Sequence, residues 1–111
     1  MSPHRSPAVL AVLMTAPDAD TGERIGAQLV RERLAACANV VPGVVSVYRW
    51  EGQVQRDSEV LVILKTTVDR VDALKDRAVA LHPYEVPEVI ALPVTAGHAP
   101  YLEWVRLEAT G

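Results

Sequence analysis

With 111 residues, 50% of them apolar and none of them phenylalanine, the chain is one domain's worth and must build its core from Val, Leu, Ile and Ala. A formal net charge of -3, without runs of one sign, excludes a basic field for nucleic acid or anionic lipid, and no stretch reaches the roughly 18 apolar residues of a membrane span. The single cysteine, Cys37, excludes an internal disulfide framework and fits a reducing compartment, so the cytoplasm is the expected location.

Residues 1–7 contain two prolines and no periodicity, and are expected to form a mobile tail ahead of one domain over residues 8–111. The opening has the outline of a secretory signal, but its apolar run from Ala8 to Met14 is minimal and no A-x-A site follows, so the run is better read as a strand. Ala8 to Thr15 is continuously apolar, as in a strand covered on both faces, and Ala16-Pro17-Asp18 ends it. Asp20 with Glu23 three positions on resembles a capping box, after which Ile25, Leu29, Val30 and Leu34 recur at helical spacing. Gly26 lies on that face, where its use is close approach of helix to sheet.

From Ala36 to Val47 the sequence turns β-branched, and Pro42-Gly43 predicts a bend or bulge that divides this stretch into two strand halves. VYRWEGQVQ reads as a hairpin tip with Glu51-Gly52 near the turn, and Glu59 to Thr66 as the next strong strand. Asp69 can cap a second helix with the stripe Val71, Leu74, Ala78 and Leu81. ALHPYEVPE is a connector, Val89 to Val94 a last core strand, and His98 to Leu107 a short closing helix with Pro100 in its first turn. The order β-α-β-β-α-β plus a terminal helix predicts an α+β, ferredoxin-like split βαβ arrangement: an antiparallel sheet with both main helices on one face and an extended central hairpin. The other face is too apolar for water, so self-association is expected.

No CxxC, HxxxH or HExxH spacing occurs, and His4, His82 and His98 are scattered singly, so local spacing specifies no metal site. Cys37, in LAACANVV, reads as a small core hydrophobe, and Met14 as core, although a thioether suits Cu(I). Glu59, Glu85 and Glu88 lie near strand ends, but no catalytic motif accompanies them and no enzyme activity is expected. Lys65 closes the run VLVILK beside two threonines and is a candidate anion contact or a snorkelling strand-end lysine. In ALHPYEVPE the two prolines bias His82 and Val86 away from helix, making a stiff elbow that pins Tyr84 and Glu85. His82 there either caps the helix or serves as a ligand.

Taken together, VLMTAPD, RLAACANVVPGVVSVYRWEG, EVLVILKT, LHPYEVPEVIALPV and YLEWV resemble the CutA family of divalent-cation tolerance proteins, in order and spacing, from about residue 9 to residue 107. The resemblance implies a homotrimer whose hairpins reach across neighbours, much like the trimeric PII signalling proteins, and a role in the response to metal ions, copper among them. It implies no obligatory cofactor, with copper or another divalent cation as the ligand to expect. Bacterial members are described as copper binders through a cysteine at the end of the first strand and a histidine pair before Pro-Tyr. Here Met14 and Leu81 stand at two of those positions, leaving His82 and Met14 as the metal-ligand candidates. The alternative implied by the PII likeness is a sensor that binds a small anionic metabolite in inter-subunit clefts lined by Lys65, Trp50 and Tyr84.

Overall fold

A computed structural model describes residues 6–111; residues 1–5 of the expected tail lie outside it. The elements in chain order are β1 (Val9–Ala16), α1 (Ala19–Arg31), β2 (Cys37–Trp50), β3 (Gln53–Thr67), α2 (Val71–Leu81), β4 (Val89–Pro93) and α3 (Ala99–Glu108). They form an α+β unit with one four-stranded sheet in the order β2-β3-β1-β4, every neighbouring pair antiparallel. Each main helix therefore crosses over one intervening strand.

Alternation along the strands divides the apolar residues between two faces. Val12, Met14 and Ala16 of β1 with Val60, Val62 and Leu64 of β3 bury themselves against Ile25 and Leu29 of α1 and Leu74 and Ala78 of α2. On the opposite face α3 covers one end of the sheet, where Val105 and Ala109 close over Val9 and Ala36. The rest of that face is open: Ile90 and Leu92, level with Leu13 and Ala11 of β1, are about half exposed.

Helix starts differ from the sequence expectation. Asp18, not Asp20, caps α1, its carboxylate accepting from Thr21 N at 2.8 Å. Pro17 keeps Ala16 extended, so the helix can begin straight after the first acid, and Asp20 falls in the first turn. That bond holds the Asp18 carboxyl below the usual carboxylate range, so its contribution to stability is complete above the unfolded value and is lost on acidification. Asp69 does not cap α2; the cap position is Arg70, without a side-chain bond, because a turn from Arg70 N to Thr67 O carries the chain one residue further.

β2 is one strand rather than two halves, with a register step between Val41 and Val44. Before the step odd-numbered β2 residues face the same side as odd-numbered β3 residues (Val41 opposite Leu61). After it even-numbered β2 residues do, with Ser46 opposite Asp57 and Trp50 opposite Gln53. One extra residue at Pro42-Gly43, where Gly43 takes φ +79°, thus turns the outer half of β2 over. The arm ends at a two-residue turn with both Glu51 and Gly52 at positive φ, the type that matches strand twist. It extends the molecule to 57 Å against 25 and 23 Å across.

Gly26 sits where a Cβ would come within 2.8 Å of the Ala38 Cβ on β2. Gly26→Ala would gain about 1 kcal/mol of helix propensity but force a backbone-borne contact, which costs about 1–3 kcal/mol. Ala38 cannot rotate away, so a net loss of stability is expected; urea unfolding midpoints measure it.

Candidate functional site

The inner end of the arm and the elbow after α2 enclose a cleft of about 510 Å³. β2 supplies Ser46, Tyr48 and Trp50 to it, β3 supplies Asp57 and Glu59, and the elbow supplies Tyr84, Glu85 and Glu88. The register step makes this convergence: without it Tyr48 and Trp50 would lie on the far side of the ribbon from Asp57 and Glu59. Tyr48 OH donates to Asp57 Oδ2, and Tyr84 OH donates to Glu59 Oε2 at 2.6 Å. The lining holds four carboxylates and, among the described residues, no basic side chain.

Those bonds set the tyrosines' proton affinity. Burial first, and the Glu59 carboxylate second, push the Tyr84 phenol well above its ordinary value. The Asp57 carboxylate, through its bond to the phenol, raises Tyr48 as well. Each phenol is held as a donor, so each carboxylate presents one bonded and one free oxygen to the cleft.

His82 ends α2 with extended backbone and is 8% exposed. Its Nε2 lies 2.7 Å from Thr15 O, which can only accept, so Nε2 carries the proton. Its Nδ1 accepts from Tyr84 N at 3.1 Å, and the two ring centroids lie 4.6 Å apart with the planes tilted by 52°. Met14 is wholly buried in the apolar core beneath α1 and α2. Among the described residues no three of His, Cys, Asp and Glu converge closely enough to hold a metal ion. The donors present at His82 and Met14 do not fit a copper site: one ring has both nitrogens engaged, and one thioether is sealed from solvent.

Of the residues expected in a ligand cleft, Trp50 and Tyr84 meet, whereas Lys65 lies elsewhere. Lys65 pairs with Ala11 and Cys37 in the body of the sheet and donates to Asn39 Oδ1. It lies six positions along β3 from Glu59, roughly 20 Å at strand rise. Cys37 shares that end, its thiol 3.5 Å from the Tyr101 hydroxyl, which is pushed up to about 12 by that bond and by burial. Asp57 and Tyr48 escaped the sequence reading; the period-2 spacing of Asp57 with Glu59 was the available signal.

The family profile described as CutA1 divalent ion tolerance protein matches residues 10–108. A divalent-cation tolerance protein CutA of Thermus thermophilus is 51% identical over 100 residues, covering 90% of this chain and 96% of that one. Protein CutA of Homo sapiens is 48% identical over 98 residues, 88% of this chain and 55% of the human one. The chain thus spans nearly the whole bacterial relative but about half the length of the human one. The crystal structure of CutA1 from Oryza sativa superimposes with a TM-score of 0.91 at 45% identity, covering 95% of this chain and 96% of that one. CutA from Xylella fastidiosa gives 0.90 at 42% identity, covering 93% and 99%.

Tyr84→Phe removes the donor to Glu59 and is expected to lower stability by about 1 kcal/mol in urea unfolding. The raised Tyr84 pKa is a stabilising effect that is complete below the unfolded tyrosine value of about 10 and is lost as pH climbs above it. The alkaline fall in melting temperature should therefore be shallower in Tyr84→Phe than in wild type.

Proposed function

The chain belongs to the CutA1 divalent ion tolerance family, and we propose on that premise that it serves the response to divalent cations by binding them rather than by catalysis. The cleft between arm and elbow is where the cations are drawn. The observation that carries this reading is the one-signed lining: Asp57, Glu59, Glu85 and Glu88 face a shared space with no basic side chain among the described residues. A cleft lined by one sign of charge concentrates counter-ions. The side-chain donors are carboxylate and hydroxyl oxygens, which suit hard divalent ions better than copper, whose preference is for nitrogen and sulfur. Because the carboxylates do not converge on one point, waters or a second copy complete the shell around a bound ion.

The working unit in this reading is a homotrimer resembling the PII assembly. Two features support it: the half-open apolar face with Leu13, Ile90 and Leu92, and an arm whose Val47 and Val54 are 66% and 68% exposed. Both are surfaces that a monomer leaves in water and that a second copy would cover. The anionic-metabolite alternative is opposed by the cleft's charge, since Lys65, its intended anion contact, is bonded to Asn39 in the body of the sheet.

Light scattering should give a mass three times the 12.0 kDa of one chain. A monomer at working concentration would sink the assembly. Mn(II) and Ca(II) are expected to stabilise the fold by mass action, by about 2.7 kcal/mol at a hundredfold excess over Kd, read as a rise in melting temperature, with Cu(II) needing a higher concentration for the same rise. Asp57→Asn with Glu59→Gln should remove that gain. Stabilisation by nucleotides or organic acids, with none by any divalent cation, would replace this reading with the metabolite one.

A further inference from the structure

We infer that His82 is a positioning residue that pins the elbow over the cleft, and that this chain does not use it as the metal ligand its family resemblance assigns. Coordination by imidazole needs a ring nitrogen with a free lone pair. Nε2 has none to offer, because its proton is donated to Thr15 O at 2.7 Å. The Nδ1 lone pair is engaged by the Tyr84 backbone N–H at 3.1 Å. Ligation at Nδ1 would orphan the Tyr84 amide, and ligation at Nε2 would orphan the Thr15 carbonyl, both beside a ring that is 8% exposed.

Among the described residues the other soft donors are no help. The Met14 thioether is wholly enclosed by the core between sheet and helices, and Cys37 is engaged with Tyr101 level with Lys65, at the far end of the sheet from the arm. What the ring does instead is join three elements. Thr15 belongs to β1, His82 closes α2, and Tyr84, held by its amide and with its ring tilted against the imidazole, reaches Glu59 on β3 with its hydroxyl. The histidine thereby sets where the phenol, and through it the Glu59 carboxylate, stands in the cleft.

Nitrogen NMR of the wild-type ring tests both halves without a variant. The expected spectrum is that of a neutral imidazole protonated at Nε2, unchanged on addition of equimolar Zn(II) or Cu(I). A metal-induced shift of either ring nitrogen overturns the inference. In His82→Ala, hydrogen exchange at the Tyr84 amide should accelerate about tenfold, the size of one lost hydrogen bond, while Val12 and Val62 amides keep their protection. Unchanged Tyr84 protection in that variant overturns the pinning role. Should His82→Ala not fold, His82→Gln is measured in the same way. Failure here is separable from failure of the cation reading, because Asp57→Asn with Glu59→Gln alters cleft binding and leaves the ring nitrogens of His82 as they are.

Discussion

The structure depends on a single extra residue. Pro42 cannot donate to a ladder and Gly43 accepts a left-handed backbone, so β2 gains one residue against β3 and its outer half turns over. Inside the step, alternation is set by the core: Ala38 and Val40 point to the helices. Outside it, alternation sets Val44, Ser46, Tyr48 and Trp50 opposite Glu59, Asp57, Gln55 and Gln53, so the aromatic and acidic side chains share one side of the ribbon. The packed body and the polar cleft are consecutive stretches of one strand pair, separated by a change of parity. Any alteration that removed the bulge would put aromatic residues on one side of the ribbon and carboxylates on the other, with every secondary-structure element intact.

The elbow is the second constraint, and it works by satisfying buried polar groups. Pro83 and Pro87 limit the backbone, and the imidazole then uses both of its nitrogens to tie β1 to the chain that leaves α2. A histidine that reads from sequence as a metal-ligand candidate is needed here for this reason alone, since removing it would strand an amide and a carbonyl. The tyrosine that it holds transfers order to Glu59 on the arm, so the two constraints meet at the Tyr84–Glu59 bond.

Much of the fold was legible because the signals were local and redundant. The apolar run of β1, the VLVILK run of β3 and the Glu51-Gly52 turn each specify their element by period or by backbone permissiveness. Cap positions were less so: the Asp20–Glu23 spacing competed with Pro17, and the proline's restriction on its neighbour moved the start to Asp18. The site was the least legible part. Lys65 and Glu59 sit in one strand, and only their separation along it shows that they serve different ends of the sheet. Asp57 and Tyr48 could not be paired from sequence, because Pro42-Gly43 announces a break without saying which parity follows it.

The unequal lengths of the strands have a further consequence, for local stability. β1 stops at Ala16 opposite Val60, so from Glu59 outward β3 has only β2 beside it. A ribbon two strands wide is marginal in water by itself, whereas the four-stranded body behind it is covered by helices. The molecule therefore carries a gradient of local unfolding free energy, steep near Pro42 and low at Gly52, along its 57 Å axis. The cleft lies on that gradient, with one wall anchored in the body and the other on the ribbon. Whatever orders the ribbon, whether an ion held across the cleft or a neighbouring copy laid along it, acts on the same reservoir of motion, so each would favour the other even without a contact between them.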